Sequence, residues 1–116
     1  MKTLLILNDA PYGSERSYNG LRLALSLVKR DGEQVRVFLL GDGVSCAVRG
    51  QTTPNGYYNV ERMLRAIVRH GAEVGCCGSC SDARGLTDET RTPAAHPSSL
   101  EELTDWTLWA DRTIAF

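Results

Sequence analysis

The sequence lacks both a long apolar segment and an excess of charge of either sign. Its 13 basic and 14 acidic residues give a formal net charge of −1, whereas a nucleic-acid-binding surface usually carries a basic stripe. No apolar run approaches the roughly 20 residues that a membrane-spanning helix requires. We therefore expect a protein that binds no nucleic acid directly and does not associate with a membrane.

Histidine is scarce, and the cysteines do not form two pairs. The chain has 2 His and 4 Cys residues, and Cys77 with Cys80 would supply only half of a tetrahedral zinc site. His70 precedes the third predicted strand, whose length puts it about 15 Å from Cys77, so a Cys–His dyad is not expected either. The turn Gly41–Gly43 is too short for a nucleotide-binding fingerprint. We therefore predict no metal ion and no cofactor.

An export signal is not evident in the opening segment Met1–Leu7. Its apolar run is short and no small-residue cleavage site follows, so a buried first strand is the simpler interpretation. We accordingly expect a cytoplasmic protein. Cysteines that cluster in that reducing compartment usually serve catalysis or metal binding rather than structural disulfides.

The sequence does contain an alternation of apolar runs and amphipathic segments along residues 1–116, a length that fits a single small domain. Continuous apolar runs are typical of strands that are covered on both faces of a parallel sheet. A further strand is expected after Gly85, without a defined position. The other predicted strands are Thr3–Leu7, Gln34–Leu40, Ala72–Cys76 and Arg112–Phe116.

Apolar residues at helical spacing predict helices between these strands. Together the elements predict an α/β protein, a three-layer α/β/α sandwich with a mainly parallel sheet. The predicted boundaries are a first helix with Ser14 as N-cap that ends at Asp31-Gly32, a short turn at Val44–Val48, an irregular loop at Gln51–Tyr58, a second helix from Asn59 to His70, a linker between Pro93 and Pro97, and a capping box at Ser98–Glu101.

Three of the four cysteines fall within five residues, at Cys76, Cys77 and Cys80. Cys77 lies between an apolar strand and a helical segment, where the N–H groups and dipole of a helix stabilise a thiolate. Cys80 follows three residues later and would share its helix face. We predict that Cys77 and Cys80 are catalytic; the alternative is a pair of partly buried thiols without function. Cys76 and Cys46 are interpreted as buried structural residues.

Three loops are predicted to meet at the carboxyl edge of the sheet, where α/β folds bind ligands. Asp42 would either bind a ligand or only form its turn. Arg84 lies roughly 10 Å beyond Cys77 along a helix, too far to pair with the thiolate, so we predict a structural or subunit-bridging role. The loops are Asn8–Gly13, Gly41–Gly43 and Cys76–Cys80, and the weak substrate-binding candidates in them are Asn8, Tyr12, Gly13, Asp42 and Gly43.

Four short motifs, spread over almost the whole chain, resemble the DsrE/DsrF-like (YchN/TusD-like) family of small sulfur-relay proteins. They are Pro11-Tyr12-Gly13, Gly41–Val44, Cys77-x-x-Cys80-x-x-x-Arg84-Gly85, and the closing Trp106 to Phe116 with Ala110-Asp111-Arg112. The resemblance implies that Cys77 is the cysteine that accepts and passes on persulfide sulfur. It also implies sulfur-donor and sulfur-acceptor proteins as partners, and assembly into a homotrimer or homohexamer.

Three functions remain open on these grounds. The first is a sulfurtransferase or sulfur-carrier subunit that holds persulfide sulfur on Cys77. The second is a thiol–disulfide oxidoreductase in which Cys77 attacks and Cys80 resolves, since a C-x-x-C near a βαβ pattern is a redox signature. The third is a non-catalytic oligomeric binding protein with incidental cysteines. We favour the sulfur carrier.

Overall fold

A computed structural model describes residues 1–54 and 57–116 of the chain. Asn55 and Gly56, inside the segment that we expect to be an irregular loop, lie outside the described residues. The elements are β1 (Lys2–Leu7), α1 (Arg16–Val28), β2 (Gln34–Leu39), a 3₁₀ helix (Gly41–Ala47), α2 (Val60–Arg69), β3 (Glu73–Cys77), α3 (Gly78–Ala83), β4 (His96–Ser98), α4 (Leu100–Trp109) and β5 (Arg112–Ala115).

The strands form one sheet in the order β4-β3-β2-β1-β5. Each of its strand pairs within the described part of the chain is parallel. The predicted α/β class and parallel sheet are therefore confirmed. No helix of the described residues has the length and apolar character to cross a bilayer.

Helices cover the sheet on both faces, as the predicted three layers require. Ile6 and Phe38 are register partners in β1 and β2, and the Phe38 ring packs edge-on against Trp106 of α4, with ring centroids 6.1 Å apart. Leu7 is the next residue of β1 and points to the opposite face, where it contacts Gly20 of α1. Helices α1 and α2 pack together on that face.

The apolar runs that predicted strands are buried because both faces are covered. Leu4, Leu5 and Leu7 of β1 have no exposed surface. In α4 only one side is covered, so Trp106 is buried whereas Leu100 at the first helical position stays exposed. The core therefore runs through the middle of the sheet, and the carboxyl ends of β1, β2 and β3 open onto loops.

The further strand expected after Gly85 is present as β4, and it begins at His96, inside the segment between Pro93 and Pro97 that the sequence predicts to be a linker. Three residues make too short an apolar run to signal a strand, and Pro97 argues against one; an edge strand nevertheless tolerates a missing N–H. Ser98 of β4 pairs with Cys77 in the sheet, and its hydroxyl donates to Glu102 at 2.6 Å. The N-cap of α4 is consequently Ser99, one residue later than predicted.

The elements that follow β1 and β2 also differ from the prediction in their boundaries. Helix α1 begins at Arg16 with Glu15 as N-cap, one residue after the predicted Ser14, whose hydroxyl accepts from the Arg16 N–H at 3.4 Å and donates to Asp9 at 2.8 Å. It ends at Val28, before Asp31-Gly32. The segment Gly41–Gly43 is not a loop but opens the 3₁₀ helix, which takes in most of the turn predicted at Val44–Val48. The predicted cap of α2 is confirmed, since the Asn59 side chain accepts from the Arg62 N–H at 2.9 Å.

Candidate functional site

Cys77 occupies the predicted turn between a strand and a helix. It is the last residue of β3, one residue beyond the predicted end, and the N-cap of α3. Its Sγ accepts the Cys80 backbone N–H at 3.4 Å and lies 3.5 Å from the Ser79 hydroxyl. Gly78 permits the close turn, since a Cβ there would lie 3.0 Å from the Ser98 carbonyl oxygen. The sulfur is thus held by the first turn of α3.

The surroundings of Cys77 favour a thiolate. Burial alone raises the pKa of this thiol, but hydrogen bonds from the Cys80 and Ser79 side chains and from their backbone N–H groups lower it further than burial raises it. The pKa of Cys77 therefore lies below the ordinary thiol value. This agrees with the pKa direction expected from its position at a helix N-terminus.

Cys80 has the opposite bias. Its Sγ accepts the Gly41 N–H at 3.3 Å. Burial raises the pKa of Cys80, its hydrogen bond to Cys77 raises it further, and the Gly41 bond and Arg84 charge only partly offset this. Of the two thiols, Cys77 therefore ionises first, so a thiolate is favoured on Cys77 and a thiol on Cys80.

A cavity of about 360 Å³ gives access to this pair. Its walls combine apolar side chains at the end of β2 and the start of α4 with serine hydroxyls of α3, of β4 and of the residue that follows β4. The volume suffices for a narrow segment of chain or a small persulfide, not for a large cofactor. The lining residues are Phe38, Leu40, Cys77, Gly78, Ser79, Cys80, Ser98, Ser99 and Leu100.

Arg84 and Asp42 meet beside Cys80. The Arg84 Nε and Nη2 atoms donate to the same Asp42 carboxylate oxygen at 3.0 and 2.8 Å, and Nη1 donates to the Cys80 carbonyl at 3.1 Å. The sequence predicts a structural or subunit-bridging role for Arg84, and the structure places it as the C-cap of α3, but its partner Asp42 is not predicted from the sequence. The Gly41 N–H contact to Cys80 was missed as well, since nothing in a glycine predicts which sulfur its N–H meets.

The other predicted substrate-binding residues make structural contacts and do not line the Cys77 cavity. The Asn8 amide donates to the Phe116 carbonyl at 3.2 Å, and the Tyr12 hydroxyl donates to Gln51 at 2.6 Å. Gly13 has a φ of 104°. Gly43 packs on the end of β1, where a Cβ would come within 2.0 Å of a backbone oxygen. The three loops do lie together as predicted, while substrate binding by these residues stays a prediction.

The two remaining cysteines are buried, as predicted. The Cys76 sulfur lies 3.5 Å from the Ser81 hydroxyl, and Cys46 lies 3.7 Å from the Asp9 carbonyl oxygen. Burial raises the pKa of Cys76, and it raises the pKa of Cys46 to about 12. His70 ends α2 and precedes β3, so it lies at the opposite end of the strand from Cys77.

The fold and this site together define a class: a small α/β protein with a parallel sheet and an activated thiol at the carboxyl edge of a central strand. The chain belongs to the DsrE/DsrF-like family, whose model matches residues 1–116. The resemblance drawn from its motifs is thereby confirmed.

Known relatives match along nearly the whole chain. Protein YchN of Escherichia coli is 36% identical over 99% of this chain and 98% of its own length, and its crystal structure superposes with a TM-score of 0.89 over 100% of both chains. An uncharacterized protein of Methanopyrus kandleri is 38% identical over 97% of this chain and 91% of its own. A more distant relative, 24% identical over 100% of both chains, is named sulfurtransferase TusD in Salmonella newport.

Proposed function

We propose that this protein is a sulfur carrier that holds persulfide sulfur on Cys77 between a donor and an acceptor protein. The observation that carries the proposal is the thiolate bias of Cys77 at the opening of a cavity. Membership of the DsrE/DsrF-like family and the name of its relative TusD support the same role. The thiolate is the reactive form of cysteine, so a lowered pKa keeps it available at neutral pH.

The loading step needs only groups that the site provides. The Cys77 thiolate attacks the outer sulfur of a donor persulfide, R–S–SH. A new S–S bond forms on Cys77, the S–S bond of the donor breaks, and the donor leaves as the thiolate R–S⁻ while the proton stays on the outer sulfur. Atoms and electrons balance without an external oxidant or reductant. Transfer to the acceptor is the same exchange in the other direction.

The hydrogen bonds of Cys80 favour this function over disulfide exchange. A resolving cysteine must itself attack as a thiolate, but the pKa of Cys80 is raised by burial and by its bond to Cys77. A protonated Cys80 instead donates to the sulfur that carries the cargo. The redox alternative keeps one supporting observation, since Cys77 and Cys80 line the same cavity and the Cys80 N–H lies 3.4 Å from the Cys77 sulfur.

The expected partners are sulfur-donor and sulfur-acceptor proteins and further copies of this chain. Tyr18 and Tyr58 stack with ring centroids 4.5 Å apart in a groove between α1 and α2 that Tyr57 also lines. Exposed aromatic side chains are enriched at subunit contacts, so we expect a homotrimer or homohexamer. Sedimentation at micromolar concentration that finds only a 12.7 kDa monomer would refute this part.

Replacement of Cys80 by serine tests the proposed function against the redox alternative. A serine hydroxyl can still accept from Gly41 and donate to Cys77, but it cannot resolve a disulfide. We expect Cys80→Ser to take up sulfur on Cys77 from a low-molecular-weight persulfide and to retain it at least as long as the parent, by mass spectrometry. Accumulation of mixed disulfides without persulfide would favour the oxidoreductase.

A further inference from the structure

Cys80 is linked to the 3₁₀ helix directly through Gly41 and indirectly through Arg84. Its sulfur accepts the Gly41 N–H at 3.3 Å, and its carbonyl accepts from Arg84 at 3.1 Å. Arg84 in turn bonds Asp42, the residue that follows Gly41. Gly41, whose N–H bonds the Cys80 sulfur, is therefore linked through the neighbouring Asp42 side chain to Arg84, the residue that caps α3.

The bond between Asp42 and Arg84 gives little stability by itself. The Asp42 side chain is 69% exposed and that of Arg84 is 34% exposed, and ion pairs in such surroundings contribute little to the free energy of unfolding. Its geometry is nevertheless specific, since two guanidinium N–H groups converge on one carboxylate oxygen and the third reaches a carbonyl. Helix α3 has only six residues, and the Arg84 side chain bonds it to the 3₁₀ helix through Asp42.

We propose that Asp42 and Arg84 form a clamp that positions Cys80 as a hydrogen-bond donor to the Cys77 sulfur. Two backbone bonds fix Cys80 beside Cys77: the Gly41 N–H donates to the Cys80 sulfur at 3.3 Å, and the Cys80 N–H donates to the Cys77 sulfur at 3.4 Å. The orientation of the Cys80 peptide therefore decides how well its N–H reaches the Cys77 sulfur. Asp42 and Arg84 are thus positioning residues for the proposed sulfur transfer, on which this inference rests.

Within the described part of the chain, the charged side chain that bonds to Cys80 is Arg84. On the α4 side, the Glu102 carboxylate accepts from His96 and from Ser98, and it lies beside Gly75. The charged groups on the 3₁₀ helix, α3 and its cap, β4 and α4 are Asp42, Asp82, Arg84, His96, Glu101, Glu102 and Asp105. Of these, Asp42 and Arg84 form the described contacts to the segment that holds Cys80.

Two single substitutions distinguish positioning of Cys80 by the clamp from a direct effect of the Asp42 and Arg84 charges on Cys77. Arg84→Gln and Asp42→Asn both break the clamp, but they change the local charge in opposite directions. If the clamp positions Cys80, both variants raise the midpoint of the pH dependence of Cys77 alkylation, and both lower its rate at neutral pH about threefold. Arg65→Gln is the matched control, since it removes an ion pair with Glu61 at 3.4 Å on α2 and should leave the midpoint unchanged.

A midpoint that rises in Arg84→Gln but falls in Asp42→Asn would mean that charge alone acts, and would overturn the clamp. So would a midpoint that moves in neither. Thermal unfolding of each full-length variant establishes that it is folded. The alkylation readout does not involve persulfide, so its failure leaves the carrier function intact, whereas a failure of Cys77 to load sulfur leaves the clamp intact.

Discussion

Two of the four cysteines lie on each face of the sheet, and the cysteines of the two faces have opposite chemistry. Cys76 and Cys77 are neighbours in β3, so their side chains point to opposite faces. Cys77 opens onto a cavity with Cys80, whereas Cys76 and Cys46 lie in the core with no exposed surface. A shift of register by one residue would exchange the roles of Cys76 and Cys77.

The difference in pKa between Cys77 and Cys76 comes from hydrogen bonding more than from burial. Cys77 is only 7% exposed and Cys76 is fully buried, so both pay a desolvation penalty when ionised. Only Cys77 also receives N–H bonds from the start of a helix, which stabilise the anion. A nearly buried cysteine becomes reactive when the turn that follows it supplies donors.

Site-resolved alkylation should give the largest contrast. The pKa of Cys77 lies below the ordinary thiol value and that of Cys46 is about 12, so at neutral pH the fractions of thiolate should differ by about a thousandfold or more. We expect iodoacetamide to label Cys77 first and Cys46 only on unfolding, as read by peptide mass spectrometry. Labelling of Cys46 or Cys76 ahead of Cys77 in the folded protein contradicts this comparison.

The buried Cys46 should make the free energy of unfolding depend on pH in the alkaline range. An unfolded Cys46 ionises near its ordinary pKa of 9.0, but the folded thiol ionises only near 12. The folded state then holds a proton that the unfolded state has lost, so stability from Cys46 is full below about pH 9 and falls as the pH rises towards 12. Between pH 9 and 10.5 the loss should be about 1–2 kcal/mol.

Urea unfolding at several pH values measures this loss, and Cys46→Ala is the matched variant. Other groups titrate in the same range, so the informative quantity is the difference between the two proteins. The variant should be less stable at pH 8, because it leaves a small cavity, and its stability should decline less steeply above pH 9. Parallel curves for the two proteins would show that Cys46 keeps an ordinary pKa.

A smaller effect is expected from loss of the hydrogen bond that the Cys80 side chain gives Cys77. Cys80→Ala removes the donor to Cys77, whereas Cys80→Ser retains one. The midpoint of the pH dependence of Cys77 alkylation should therefore rise in the alanine variant, with a rate at neutral pH about fivefold lower, because hydrogen bonds to charged groups are the stronger ones. The serine variant should stay near the parent. Equal midpoints in all three proteins would exclude the Cys80 thiol as a donor.

The parts of the molecule that the sequence predicts well are those governed by local patterns. The apolar run Thr3–Leu7 predicts β1, and the step from an apolar strand to a helical segment predicts the position of Cys77. The polar Asn59 before an amphipathic segment predicts the cap of α2. In each case, the neighbouring residues decide the outcome.

The parts that the sequence does not predict depend on contacts between distant segments. The Gly41–Cys80 bond joins residues 39 positions apart, and the Asp42–Arg84 bond joins residues 42 apart. Strand β4 is held by its pairing with Cys77 and its neighbours, not by its own three residues. That pairing also moves the cap of α4 from Ser98 to Ser99, because it directs the Ser98 side chain to Glu102.

The central claim is that sulfur resides on Cys77, and one measurement tests it directly. The parent protein is exposed to a low-molecular-weight persulfide at neutral pH, trapped with an alkylating reagent, digested and mapped by mass spectrometry at all four cysteines. We predict the mass of one added sulfur atom on Cys77 and on no other cysteine. A Cys77–Cys80 disulfide as the main product, or added sulfur on Cys80, Cys76 or Cys46 instead, would contradict it.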